Sequence, residues 1–285
     1  MTDRRALREV LPDRSGRRLA ILPAMSELGF EVLEGARVRL RVVEDPAVAH
    51  RAVAAEMARL IERRQSRGDQ AVLGLATGRT MLPLYAELVR LRREEGLSFG
   101  RVVTFNLDEY RGLDAEHPQS FRAVMQRELF GHVDLPPEQI GFLDGTVAGP
   151  DLERHCADYE RRIRAEGGLD LQLLGLGTNG HIAFNEPGSE GHGRTRRVQL
   201  AEATRTANAR DFEDPQAVPT AALTMGLGTI LEAKRLRLLA FGPSKAKAVA
   251  RLIETAAPGP QFPASYLLEH PELEVWVDRA ALGPR

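Results

Sequence analysis

Four times along this chain a short apolar run ends in a polar cluster. The runs are 71–75, 102–105, 169–174 and 236–241, and each is short and apolar enough to be a buried strand. Between them the apolar residues recur at helical spacing. Val53, Met57, Leu60 and Ile61 follow an Asp45-Pro46 helix start, Phe121, Val124, Met125 and Leu129 form a second group, and Leu152, Cys156, Tyr159 and Ile163 form a third. Further strands are predicted at 38–43 and 275–277. Strands alternating with helices build parallel βαβ units. The expected fold is therefore an α/β protein with an open, mostly parallel, Rossmann-like sheet and helices on both faces. Ligands of such sheets bind beyond the carboxyl ends of the strands, so the four polar clusters are expected on one rim.

A chain of 285 residues can bury a sizeable core without staples. Residues 1–36 are charge-mixed and broken by Pro12, Gly16, Pro23 and Gly29, and read as an N-terminal extension to a single domain over 37–285. A net charge of −1 provides no field for nucleic acid or an anionic membrane. No apolar run approaches the roughly 20 residues of a membrane helix. Asp3, Glu9 and Asp13 interleave with the N-terminal arginines, unlike an organelle-targeting peptide. The one cysteine, Cys156, falls on an apolar helix face and reads as a packing thiol. With no disulfide possible within the chain, a reducing, cytoplasmic setting is expected.

The first cluster, Thr77-Gly78-Arg79-Thr80, precedes a helix, where free N–H groups and the helix dipole can cradle a phosphate. It reads equally as an ordinary turn capped by Thr80. It is not a P-loop, and no G-x-G-x-x-G follows an early strand. In the second cluster, Asp108 and Glu109 could supply a general base, or could be solvated loop acids, one of them capping Arg111. The third, running from Gly175 through Gly177 and Asn179 to Gly188, places His181 in a glycine-rich loop with Glu186 five residues on, the composition of an acid/base pair. His181, His192 and His270 lack metal-ligand spacing, so no metal is expected. In the fourth, Lys245 stands in a helix's first turn, where it opposes the dipole unless an anion binds there.

Read together, LGLATGRT, VVTFNLDEY, EHPQSF, LLGLGTNGHIAFNEPG, TRTANARDF, VPTAALTMGLGTI and FPASYLLEH resemble the glucosamine-6-phosphate deaminase/isomerase family from about Val38 to the C-terminus. The resemblance implies a sugar-phosphate substrate, no cofactor, and conversion of glucosamine 6-phosphate and water to fructose 6-phosphate and ammonia. It implies that Asp108 takes the C2 proton, that His181 opens the ring, and that Glu186 orients His181. Asn179 stands where many members carry an aspartate, and its role would be positional. Thr77, Gly78, Arg79, Thr80, Gly175, Arg210 and Lys245 would bind the substrate and its phosphate, with Arg210 on a lid over about 196–219. The assembly expected is a monomer or small homo-oligomer.

Three positions depart from the family pattern. Arg79 and Met81 replace a usual glycine and proline in the phosphate turn. Arg79 either contacts the phosphate directly, which is slightly preferred, or turns to solvent or pairs with an acid such as Glu109 while the backbone binds. Val198 replaces a lysine that serves allosteric activation in regulated relatives. One rival is a 6-phosphogluconolactonase-like hydrolase, against which the Ile182-Ala183-Phe184-Asn185-Glu186 string argues. Another is a non-catalytic sugar-phosphate sensor, for whose DNA-binding module residues 1–36 are too short and too proline-broken.

Overall fold

The computed structural model describes residues 11–12, 18–21, 30–34 and 38–283. In chain order its elements are β1 (Leu11–Pro12), β2 (Arg18–Ile21), β3 (Phe30–Glu34), β4 (Arg39–Val43), α1 (Pro46–Gln65), β5 (Ala71–Leu75), α2 (Leu82–Glu94), β6 (Val102–Asn106), β7 (Asp108–Tyr110) and α3 (Phe121–Glu128). There follow β8 (Ile140–Gly141), α4 (Asp151–Ala165), β9 (Leu171–Gly175), β10 (Arg196–Gln199), α5 (Glu202–Asn208), β11 (Ala221–Thr224), α6 (Leu227–Leu231), β12 (Leu236–Ala240), α7 (Ala246–Glu254) and β13 (Leu273–Asp278). Each strand expected from an apolar run is present, within two residues of its expected bounds. Asp45 caps α1 by accepting from Ala47 N at 2.9 Å, with Pro46 at the first helical position, as the start signal implies.

The main sheet has the order β1-β2-β3-β4-β13-β12-β9-β5-β6-β8, and the seven strands from β4 to β8 pair in parallel. Every residue of β5, β6 and β12 is buried. Side chains alternate between faces along a strand, so unbroken burial means that both faces are covered, and helices flank the sheet. Cys156 lies with Tyr159 and Ile163 in the core, as its helical spacing implies. From β5 the chain steps outward through β6 to β8, whereas β9, β12 and β13 lie on the other side of β5. The order therefore reverses between β5 and β9, the place where an open sheet leaves a crevice.

Besides the short β8, two features are additional to the expected plan. Strands β1 to β3 continue the sheet antiparallel beyond β4, so the N-terminal extension is not wholly an appendage. Phe30 packs edge-on against Trp276 at 5.0 Å, with the Arg41 guanidinium 4.8 Å above its ring. The second feature is a small antiparallel sheet, β10-β11-β7. Leu107 joins the two sheets: its N–H donates to Leu75 O, and its carbonyl accepts from Met225 N. The chain thus leaves the main sheet at Asn106 and enters the small one at Asp108. A second apolar cluster of Tyr110, Phe184, Leu200, Phe212, Val218 and Ala222 packs beneath this sheet.

Candidate active site

The ends of β5, β6, β9 and β12 and the segment 204–211 enclose a cleft of about 230 Å³. It is lined by residues from all four polar clusters, including Thr77, Gly78, Thr80, Asp108, Gly175, His181 and Lys245, which are expected to share one rim, and by Arg210 from the segment expected to be a lid.

At one end lies the turn after β5. Gly78 has φ +145°, which a side chain would oppose, and its carbonyl accepts from Met81 N at 2.9 Å. The helix that follows has Met81, not Thr80, at its N-cap, with no side-chain cap. His50 supports the turn from below: Nε2 donates to Thr80 O at 2.9 Å, and the ring packs edge-on against Phe241 at 5.3 Å. Asp278 fixes the facing turn by accepting from Gly242 N at 2.9 and 3.1 Å. That turn delivers Lys245 to the N-cap of α7. Burial, and then the charge of Arg210, push the Lys245 ammonium below its ordinary value. Two cations held close together beside a helix start favour a dianion such as a phosphate.

Arg79 does not line the cleft. Its guanidinium is held by Asp211, with Nε 3.0 Å from Oδ1 and Nη2 on the same oxygen. Pairing with an acid is one of the alternatives open from sequence, but the acid is Asp211 of the 202–211 segment and not Glu109.

Asp108 and Glu109 are both buried, not solvated, and they do different things. Glu109 accepts from the backbone N–H of Tyr110, Phe121 and Arg122 at 2.8, 2.9 and 2.9 Å, holding the start of α3 to β7. Burial outweighs these bonds and raises its carboxyl to about 7. Asp108 faces the cleft, and among the described residues its carboxyl accepts no hydrogen bond. Burial, reinforced by the Glu109 charge, raises it well above the usual carboxylate range. A carboxylate so raised is a stronger base once ionised.

The His181 loop is anchored to β11 and its end. Phe184 N donates to Thr224 Oγ1 at 3.1 Å, and Asn185 Nδ2 donates to Ile182 O and Met225 O at 3.0 and 2.8 Å. Gly177 lets the imidazole lie against the backbone, since a Cβ there would be 2.4 Å from three ring atoms. Ala183, in the same loop, has φ +51°, unusual for a residue with a side chain. His181 Nδ1 lies 2.8 Å from Asn179 Oδ1 and 3.6 Å from Glu186 Oε2. Asn179 Nδ2 donates to Glu186 Oε2 at 2.9 Å, and Thr204 Oγ1 donates to Glu186 Oε1. Glu186 thus meets His181 both through Asn179 and, at 3.6 Å, by its charge. Burial alone would raise Glu186, but the His181 ring, Thr204 and Asn179 together hold it at about 2.

A carboxylate only accepts, so Glu186 turns the amide of Asn179 with its NH₂ toward itself and its oxygen toward His181. That oxygen calls for a proton on Nδ1, leaving the lone pair of the neutral ring on Nε2. Thr204, Asn208, which donates to Tyr110 Oη at 2.8 Å, Asp278 and His50 are site residues that sequence reasoning missed.

The family model for glucosamine-6-phosphate isomerases/6-phosphogluconolactonase matches residues 44–276. The chain belongs to this family. A glucosamine-6-phosphate deaminase of Bacillus pumilus is 49% identical over 226 residues, covering 79% of this chain and 92% of the relative. A glucosamine-6-phosphate deaminase of Giardia intestinalis is 44% identical over 266 residues, covering 92% of this chain and 96% of the relative. A solved monomeric glucosamine-6-phosphate deaminase superposes with a TM-score of 0.82 at 42% identity, covering 86% of this chain and 99% of that one. The 6-phosphogluconolactonase of Thermotoga maritima, with a TM-score of 0.65 at 21% identity, shares the fold. Among the described residues no helix is long and apolar enough to cross a membrane, and no three of His, Cys, Asp and Glu are grouped to hold a metal ion.

Proposed function

We propose that this member of the family is a glucosamine-6-phosphate deaminase, converting glucosamine 6-phosphate and water to fructose 6-phosphate and ammonia. The observation that carries the reading is that a buried, raised carboxylate, Asp108, and an imidazole of defined tautomer, His181, line one cleft with Lys245 and Arg210.

The phosphate is held by the 77–80 turn, Arg210 and Lys245. His181 Nε2 takes the proton of the sugar's anomeric hydroxyl and returns it to the ring oxygen, opening the ring. Asp108 takes the C2 proton of the open-chain aldehyde as its carbonyl oxygen gains a proton, giving an enolamine, and return of that proton to C1 leaves an iminium at C2. Water adds there, and ammonia departs as the ketone forms. The apolar walls from Leu107, Tyr110, Phe121 and Phe184 limit water around Asp108 and keep it a strong base. We read residues 196–219 as a lid anchored at one end by β10, and the protein as a cytoplasmic monomer or small homo-oligomer that needs neither nucleic acid nor membrane.

Lactone hydrolysis is the competing chemistry in this fold. The test is a panel of hexosamine 6-phosphates and 6-phosphogluconolactone offered to the purified protein. Equal yields of ammonia and fructose 6-phosphate from glucosamine 6-phosphate are expected. Lactone hydrolysis without ammonia release from any amino sugar would overturn the reading, and binding without turnover would point to a sensor.

A further inference from the structure

We propose that Arg79 and Asp211 form a positioning pair that holds Arg210 over the phosphate turn. The inference rests on the cleft being a sugar-phosphate site, and it concerns how that site is assembled.

The segment 202–211 crosses the cleft from the acid/base end to the phosphate end. It is tied down at three points. Thr204 donates to Glu186, Asn208 donates to Tyr110 Oη, and Asp211 receives the guanidinium of Arg79. The first two ties lie at the end where His181 and Asp108 work. The third lies in the phosphate turn itself, 132 residues away in sequence. Arg210 shares a single 3-10 turn with Asp211, so fixing Asp211 fixes the backbone that carries Arg210.

The pair also resolves an electrostatic conflict. Asp211 lines the cleft beside Arg210 and Lys245, where a bare carboxylate would repel a phosphate dianion. Two donors of Arg79 on one Asp211 oxygen offset that charge. An aspartate next to a phosphate-binding arginine is a liability unless it does something, and here it receives the tether. Arg79 therefore acts on phosphate through Asp211 and Arg210, and its side chain need not touch substrate.

Both partners are partly exposed, Arg79 at 59% and Asp211 at 41% of their side chains, so the tether is weak and screened by salt. The effect expected is about two- to fivefold in KM, the scale of an exposed ion pair, with kcat little changed.

The experiment is a double-mutant cycle on the full chain, with Arg79→Gln, Asp211→Asn and the double variant assayed against glucosamine 6-phosphate. Stabilisation by inorganic phosphate, read as a rise in melting temperature, provides a readout that does not depend on turnover. Asp211→Asn is the deciding variant, because deleting a negative charge beside an anion site would by itself tighten binding. A rise in KM and weaker stabilisation by phosphate in both single variants, with the double variant no worse than either, is the expected result. The difference from the parent should shrink at high salt. A fall in KM in Asp211→Asn, or a rise confined to Arg79→Gln and undiminished in the Asp211→Asn background, would overturn the proposal. The latter would mean that Arg79 meets the phosphate directly. Parent enzyme that releases no ammonia but is still protected by phosphate would count against the deaminase reading. The positioning pair would then be judged on the phosphate data alone.

Discussion

The side-chain oxygen of Asn179 lies 2.8 Å from Nδ1 of His181, and this contact decides which ring nitrogen can work as a base. Glu186 sets the amide's orientation, and the amide sets the imidazole's. The carboxylate that looks from sequence like the histidine's hydrogen-bond partner sits 3.6 Å from Nδ1, and the nearer hydrogen bond is to the amide.

Asn179→Leu should therefore lose activity though it leaves His181, Glu186 and Asp108 in place. Without an acceptor on Nδ1 the ring is free to turn or to carry its proton on Nε2. We expect kcat to fall by ~10²-fold, the scale of a misdirected acid/base group. Asn179→Asp keeps an acceptor toward Nδ1 and should retain most of the activity. Steady-state rates of the two variants check this, and equal losses in both would show that the amide is needed for something else.

Gly177→Ala tests the seating of the same ring. A methyl group 2.4 Å from the imidazole cannot be accommodated unless His181 moves. The overpacking should cost about 1–3 kcal/mol of stability and most of kcat. Thermal unfolding and turnover measured together check it. A variant with parent-like kcat would mean that the ring position is not critical.

Asp108 should make the protein less stable than it could be. Its native carboxyl is raised well above the unfolded value, which lies near 4, so the native state binds the proton more tightly. Stability from this group is therefore present at low pH and is lost as pH rises through the raised native value. Asp108→Asn escapes the loss. Its melting temperature should exceed the parent's by more at pH 8 than at pH 5, and an equal difference at both would contradict the raised carboxyl.

Six of the parallel strands, β4, β5, β6, β9, β12 and β13, are legible as short apolar or branched runs, and the rim follows because each functional cluster comes directly after one of them. The two-residue β8 and the antiparallel β1 to β3 are not, being too short or too broken by charge to show a pattern. The small sheet is not legible. β7, β10 and β11 are three or four residues long and pair across long sequence separations, as with Asp108 and Thr224. So short a strand shows no period, and Arg196–Gln199 falls inside the segment expected to be a lid. Asp108, His181, Glu186 and Lys245 stand out because charged or polar types follow strands. Thr204 and Asp211 do not, because nothing local marks a hydroxyl that meets Glu186 or a carboxylate that meets Arg79. Glu109 shows the limit most plainly. It neighbours Asp108 in sequence and looks equally catalytic, yet the pleat sends it to cap α3.

The most direct test of the central claim is turnover of glucosamine 6-phosphate by Asp108→Asn, set beside its affinity for the same sugar. Ammonia release should fall by ~10²–10⁴-fold, while the dissociation constant stays close to the parent's KM, because the phosphate end of the cleft is untouched. Parent-like ammonia release from the variant would show that Asp108 is not the base and that the chemistry assigned to this cleft is wrong.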